Sequence, residues 1–439
     1  MHLPKNVRLC LDALENAGFA AYAVGGCVRD WLLGLTPHDY DLCTAATPAQ
    51  TRQVFRDYPL VLAGEKHGTV GVVMDGDVVE ITTFRTEGDY SDNRHPAWVE
   101  FVSQVEGDLA RRDFTVNAMA WSPYRGFADP FGGQQDLKNR VLRAVGDPRQ
   151  RFREDSLRIL RGMRFAVRYG LTPENATLDA MFDLAPLMDN LARERVFDEL
   201  CKLLPLVTAG DLKRFQPLLT AVIPELGPTV DFDQRSPHHA YDLFTHIAHV
   251  TEAVPGDLVL RWAALLHDVG KVCVFTLDSQ GQGHFYGHAG ESARMADAIL
   301  RRLKSPTALR ESVVTLIRLH MNRPEPDRKL LRRWLSHHGA DTLHRLLLLQ
   351  EADMGSKGTG APEKDAFFTR IRQLLTQLQE ENACLTIRDL AISGNDLLQL
   401  GFAPGKALGA CLQALLDLVL DEKIENTKEA LLAEAARQR

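Results

Sequence analysis

Gly25-Gly26-Cys27-Val28-Arg29-Asp30-Trp31-Leu32-Leu33-Gly34, followed a few residues later by Asp39-Tyr40-Asp41, is the stretch on which the fold of this chain turns. The two glycines read as a turn, the run after them as a short helix, and Asp39-Tyr40-Asp41 as a strand. Side chains alternate along a strand, so Asp39 and Asp41 would share one face while Tyr40 points away. Two neighbouring carboxylates make a poor core but a good seat for Mg²⁺, which prefers oxygen ligands and substrate phosphates. The glycines let a phosphate approach the backbone, where the N–H groups of the following helix would receive it. The combination predicts a site for a nucleoside triphosphate with its metals, and in-line displacement at phosphorus as its chemistry.

A chain of 439 residues is too long for a single core, which sets an expectation of roughly two to four domains. Hydrophobic residues at 45% and charged residues at 25% are ordinary for a soluble globular protein. No apolar run approaches the roughly 18 residues that span a bilayer. Met1-His2-Leu3-Pro4-Lys5-Asn6 has no apolar signal core, so neither a membrane partner nor secretion is expected. The cysteines, at 10, 27, 43, 201, 273, 384 and 411, form no CxxC pair. Such usage suits a reducing cytoplasm and argues against a thiolate zinc site. Oligomeric state is not legible.

A net charge of −7 argues against a nucleic-acid partner, but the distribution matters more. Lys138, Arg140, Arg143, Arg149, Arg151, Arg153, Arg158, Arg161, Arg164 and Arg168 face only Asp147, Glu154 and Asp155 in the same stretch. That stripe predicts a surface able to hold a phosphate backbone; a solvated helix face is the plainer alternative.

Residues 20–25, 70–74, 78–84 and 98–102 read as strands from their β-branched and aromatic content, with Asp75-Gly76-Asp77 as a hairpin turn. From about residue 150 the pattern turns helical almost to the end. The expected architecture is an α/β head followed by a long all-α body, with 354–363 as the best linker candidate.

Glu80, on a predicted strand, is either a third carboxylate or a solvent-facing residue. In Asp108-Leu109-Ala110-Arg111-Arg112-Asp113-Phe114-Thr115-Val116-Asn117, Arg112 would pair with phosphate while Asp113 and Asn117 reach sugar hydroxyls. Farther on, Asp155, Arg158, Arg161 and Arg164 recur every three residues on one helix face. An amphipathic helix with i,i+3 ion pairs explains that spacing. A sharper reading follows from donor inventory. Asp155 would accept from the exocyclic amine of cytosine or adenine, and Arg158 would donate to the adjacent ring nitrogen; uracil and guanine present the opposite pattern.

A second constellation lies downstream. His267-Asp268 ends the apolar run 258–266 and is followed by Val269-Gly270-Lys271, with His246, His288, His320 and Asp353 at helical separations. A lone histidine beside an apolar face is usually a core residue. Adjacent imidazole and carboxylate at a helix end suit a divalent ion able to activate water.

Gly25-Gly26-Cys27-Val28-Arg29-Asp30 with Asp39-Tyr40-Asp41, Arg111-Arg112-Asp113-Phe114-Thr115-Val116-Asn117-Ala118-Met119, Asp129-Pro130-Phe131-Gly132-Gly133, Glu154-Asp155-Ser156-Leu157-Arg158-Ile159-Leu160-Arg161 and Arg193-Glu194-Arg195-Val196-Phe197-Asp198-Glu199-Leu200 resemble, in order, the motifs of the bacterial-type (class II) CCA-adding tRNA nucleotidyltransferases. The resemblance implies a polymerase-β-like α/β head over 1–145 and a helical neck and body over 146–235. An HD domain over 236–355 and a tRNA-gripping tail over 356–439 complete the all-α remainder. It implies Asp39 and Asp41 as catalytic Mg²⁺ ligands, and Gly26, Arg29 and Arg112 on the triphosphate and sugar. Asp155, Arg158, Arg161 and Arg164 would read the base and face phosphate. The implied partners are tRNA, CTP and ATP, the implied reaction untemplated CCA addition with release of pyrophosphate.

Bacterial poly(A) polymerases and CC-adding enzymes share the head motifs. The run from Arg85 to Pro96 resembles the flexible loop of full CCA-adders, and 389–398 resembles their tail. The second constellation resembles the HD phosphohydrolases, which implies His246, His267, Asp268 and Asp353 as ligands of a divalent transition metal. His288 and His320 match the extra histidines of two-metal members, and a phosphatase or cyclic phosphodiesterase activity would follow. The rival from another class is an HD phosphohydrolase whose head only binds RNA.

Overall fold

The computed structural model describes residues 1–88, 99–236, 240–357, 363–381 and 383–438. The loop expected over Arg85–Pro96 therefore lies outside the described residues beyond Gly88, as do the middle of the 354–363 linker and Trp98. Two compact units form, one from Met1–Val207 with Arg214–Pro224, the other from Thr208–Lys213 with Glu225–Arg439.

The first unit opens on a mixed sheet. Its strands are β1 (Ala21–Val24), β2 (Asp41–Thr44), β3 (Leu60–Val61), β4 (Thr69–Met74), β5 (Asp77–Thr83) and two further strands, Ala120–Ser122 and Gly126–Ala128. Their spatial order is β3-β4-β5-β2-β1, then Ala120–Ser122 and Gly126–Ala128. Only the β2–β5 pair is parallel, and it sits at the centre. Asp75 at φ 53° and Gly76 at φ 89° make the two-residue turn between β4 and β5, both residues positive as a tight primed turn requires. Val24, Cys43, Phe84, Leu109, Ala118 and Ala120 close a core beneath this sheet. One expectation changes: the second strand starts at Asp41, so Asp39 lies in the approach to it rather than within it. Val99–Phe101 pairs with Arg85–Glu87 in a separate ribbon.

Helix Leu157–Tyr169, here the base helix, packs closely on the head. A Cβ at Gly162 would lie 2.9 Å from Phe114 Cζ and 3.2 Å from Met181 Cε, so only glycine permits that approach. Arg164 pairs with Glu199 of helix Arg193–Leu203 at 2.6 Å, both buried, tying the two helices together.

The second unit is almost wholly helical. Asp242 and Asp257 cap the helices Leu243–Ala253 and Leu258–Leu266 by accepting from Thr245 N–H (3.1 Å) and Leu260 N–H (2.9 Å). Helices His288–Arg302, Thr307–Leu319 and Ala340–Gly355 complete the bundle around the fully buried Trp262. Toward the C-terminus Leu397, Leu415 and Leu431 build a core of their own. Among the described residues, no helix is long and apolar enough to cross a membrane.

Candidate active site

Gly25 stands at φ 76°, ψ −123°, a conformation that only glycine adopts without strain, and it begins the turn helix Gly26–Leu32. Val24 faces Asp41 across the β1–β2 pair, which sets that carboxylate beside the glycine turn. Continuing the Leu42–Ile81 register back by one residue places Glu80 alongside Asp41 on the neighbouring strand. Glu80 is itself exposed, so it lies beside Asp41 and faces solvent, as both of its sequence readings expect. Asp39 and Asp41 are both exposed. The inner side of Asp41 is walled by protein: burial pushes its carboxyl pKa up, Arg112 opposes, and Asp39 adds to the rise. A doubly acidic seat of this kind favours a bound cation over a bare carboxylate pair.

A cleft of about 420 Å³ brings together Gly26, Arg29, Asp41 and Arg112 of the head with Asp155, Arg158 and Arg161 of the base helix and its approach. Asp39 and Arg164 are not among its lining residues. Arg164, nearly buried on Glu199, is a structural clamp in this arrangement.

Counting donors separates the arginines. Arg112 gives Asp108 one N–H at 3.2 Å, while its buried Nε meets no partner. Arg29 is almost fully engaged: Nε and Nη2 donate to Asp30 at 2.9 and 2.7 Å, Nη1 to Asn117, and Nη2 to the Tyr169 hydroxyl. A guanidinium has five N–H donors, so Arg29 keeps one for a ligand, and Arg112 keeps three on its terminal nitrogens besides the buried Nε–H. Asp108, fully buried, anchors both Arg111 (2.8 Å) and Arg112. Burial would raise its pKa, but the two arginines hold it below the ordinary carboxylate range. The i,i+3 and i,i+4 spacing of these residues carried that signal in the sequence.

Asp113 accepts from Phe114 N–H (2.8 Å), Asn117 Nδ2 (3.0 Å) and Arg161 Nε (2.8 Å). Burial opposes its ionisation, yet Arg161 and Asn117 together bring it down to about 2. Asp155 accepts Leu157 N–H (3.0 Å) and one Arg195 donor (3.4 Å) on Oδ1, and a second Arg195 donor on Oδ2 at 2.9 Å. Four lone-pair positions minus three leave one, on Oδ2. Arg158 spends three donors on Glu154 Oε2 (2.6 Å), the Arg151 carbonyl and the Arg111 carbonyl (3.0 Å each). Its Nε–H and one Nη2–H stay available to the cleft.

The basic stripe differs from expectation. Arg143 pairs with Asp136 and Glu174, Arg149 with Asp183, Arg151 and Arg158 with Glu154, Arg161 with Asp113, and Arg164 with Glu199. Among the described residues, only Lys138, Arg140, Arg153 and Arg168 of the stripe lack a carboxylate partner, and all four are exposed. Glu154 pairs locally with Arg151 and Arg158, and carboxylates from outside the stretch, invisible in a linear count, neutralise the others.

The second unit gathers His246, His267, Asp268, His288, His320 and Asp353 into one buried cluster. Nδ1 of His267, His288 and His320 lies 2.8, 2.8 and 2.6 Å from the carbonyls of Ala264, Phe285 and Ile317. A carbonyl only accepts, so each Nδ1 carries the proton and each Nε2 offers a lone pair inward. Those Nε2 atoms stand 3.3, 3.4 and 3.8 Å from Asp268, with His246 Nε2 at 3.4 Å from Asp268 and 3.1 Å from Asp353. Two triads result, His246–His267–Asp268 and Asp268–His288–His320, sharing one carboxylate. The lone pairs of His288 and His320 face each other at 3.2 Å, an arrangement that a cation between them would relieve. Burial, with His267, pushes His320 down to about 4, which keeps it a neutral ligand. Neutral imidazole with carboxylate is a donor set for a borderline divalent ion. Lys271 adds a cation 2.7 Å from Asp268.

Residues 21–143 match the poly A polymerase head domain model, 170–206 a polymerase A model named for an RNA and SrmB binding site, and 285–435 the tRNA nucleotidyltransferase domain 2 model. The CCA-adding enzyme of Streptococcus thermophilus is 33% identical over 98% of this chain and 97% of its own length. Among solved structures, the Bacillus stearothermophilus CCA-adding enzyme in complex with CTP superposes with a TM-score of 0.69 at 27% identity, covering 100% of this chain and 98% of that one. The Thermotoga maritima CCA-adding enzyme complexed with tRNA shares the fold, with a TM-score of 0.61 at 21% identity over 99% and 96% of the two chains.

Proposed function

This chain belongs to the family of CCA-adding enzymes, and on that premise we propose how its residues perform the addition. The 3′ hydroxyl of an immature or damaged tRNA attacks the α-phosphate of CTP or ATP, and the bond to pyrophosphate breaks. Mg²⁺, seated on Asp39 and Asp41 with Glu80 beside them, would lower the hydroxyl's pKa and neutralise charge on the leaving group. Arg112 supplies the fork that grips phosphate oxygens, since it has the most unengaged donors. Arg29 contributes one N–H and otherwise holds the turn helix in place.

Base choice rests on the single acceptor position left on Asp155 and the two donors left on Arg158. The exocyclic amine of cytosine or adenine fills the first, and the neighbouring ring nitrogen accepts from the second. Uracil and guanine would leave both unpaired, at about 1–3 kcal/mol for each unmet group. The observation that carries this reading is the cleft itself, which joins Asp41 and Arg112 to Asp155 and Arg158.

The exposed basic residues without a carboxylate partner, Lys138, Arg140, Arg153 and Arg168, would meet tRNA through its phosphates, and the tail over 356–439 would bind tRNA as well. RNA of this form is read by shape and backbone. The division into head (1–145), neck and body (146–235), HD domain (236–355) and tail follows from the same family reading. In the helical unit the shared-aspartate cluster would hold one or two divalent ions and hydrolyse phosphoesters, the ions supplying an activated water. Incubating tRNA that ends at the discriminator base with CTP, ATP or both tests the addition reaction. Products lengthened by CC with CTP alone and by CCA with both support it; extension by A tracts, by CC only, or not at all overturns it.

A further inference from the structure

Tyr169 is the last residue of the base helix and is nearly buried. Its hydroxyl accepts from Arg29 Nη2, and its ring lies 4.2 Å from the Arg29 guanidinium carbon, with Phe165 at 5.3 Å. Arg29 belongs to the turn helix, which starts at the glycines beside Asp41. Its remaining bonds go to Asp30 of its own helix and to Asn117, which in turn donates to Asp113. One guanidinium thus ties the turn helix to the end of the base helix. A hydrogen bond from a charged donor, with a ring beneath the cation, holds its partners more firmly than side-chain packing alone.

We propose that Tyr169 is a positioning residue for nucleotide binding: acting through Arg29, it fixes the spacing between the glycine turn that receives the triphosphate and the helix that reads the base. A nucleoside triphosphate must touch both, whereas pyrophosphate touches the first alone. The inference rests on the nucleotide reading of this cleft given above.

Tyr169→Phe keeps the ring and its packing and removes only the hydroxyl. Losing one hydrogen bond to a charged group should raise KM for CTP and for ATP about 10-fold, with kcat within about 2-fold of the parent. Inhibition of addition by inorganic pyrophosphate should keep its parental strength. Tyr169→Leu, which also removes the ring, should extend the KM rise while again sparing pyrophosphate. A KM within about 2-fold of the parent in both variants overturns the proposal. So does a parallel weakening of pyrophosphate inhibition, because the head alone would then be disturbed. Asp155→Asn measured alongside separates the two levels of argument. Impaired C and A selection there with a parental Tyr169→Phe sinks only the tyrosine, and parental selection there removes the nucleotide reading beneath it.

Discussion

Gly25→Ala tests the nucleotide turn through two separable costs. A Cβ at this position would stand 2.6 Å from Arg112 Nη1 and 3.6 Å from the Asn117 carbonyl. The backbone at φ 76° would also be strained for any residue with a side chain, costing about 1–3 kcal/mol of stability. The Nη1 contact is cheaper to relieve, because the tip of an arginine can swing aside. Swinging aside, however, removes the guanidinium whose free donors are assigned to phosphate. If one charge-assisted bond at about 1.5–3 kcal/mol is lost, kcat/KM for CTP should fall about 10- to 100-fold. Arg112→Ala should fall by a similar factor without the strain. In the double variant the activity loss should not multiply, since the same bond is already gone, while the urea midpoint should be at least as low as in Gly25→Ala, because Asp108 also loses a partner. Initial rates of CMP incorporation and equilibrium urea unfolding read the two costs separately. Parental activity in Gly25→Ala, or a double variant whose loss is the product of the single losses, would refute the coupling.

Asp41→Asn should abolish nucleotide addition, leaving no extended product on a sequencing gel, and leave metal uptake by the helical unit intact; His267→Ala should do the reverse. Adding a divalent transition ion should raise the melting temperature of the parent, by about 2.7 kcal/mol of stabilisation at 100 times Kd, and should not raise that of His267→Ala, followed by scanning calorimetry. Asp113 has a folded pKa depressed from 3.8 to about 2, so its folded state binds fewer protons than the unfolded chain. It therefore contributes about 2 kcal/mol that is complete above pH ~5 and drains away as pH falls toward 2. The stability gap between the parent and Asp113→Asn should narrow as pH falls from about 5 to about 2 in urea titrations; a constant gap would count against the Arg161 pairing.

Much of the head was legible because its signals are local. The Asp75-Gly76 turn, the strands around it and the glycine turn before Asp41 each follow from neighbours in sequence. Three short strands escaped notice, since Leu60–Val61, Ala120–Ser122 and Gly126–Ala128 are two or three residues long and carry no alternation to read. Asp39 was expected inside a strand, but pairing with β1 begins only at Asp41, opposite Val24, where the glycine turn ends that neighbour. The basic stripe looked free because its partners, Asp113, Glu174 and Glu199 among them, arrive from distant segments. The same distance hid Arg195 behind Asp155 and Tyr169 behind Arg29. For the helical cluster the histidines could be named from spacing, but not the carbonyls that orient them, for backbone acceptors leave no mark in a sequence.

Those carbonyls have a consequence for how the cluster meets an ion. In three of the four histidines the ring leans back on the carbonyl three positions earlier, which belongs to the last turn of a helix for His267 and His320 and to the approach to one for His288. Rings tethered in this way need no rearrangement when a cation arrives, and the outer partner also raises their basicity. The protein with and without an ion bound there should then share one backbone, so that loading would change the electric field inside the bundle rather than its shape.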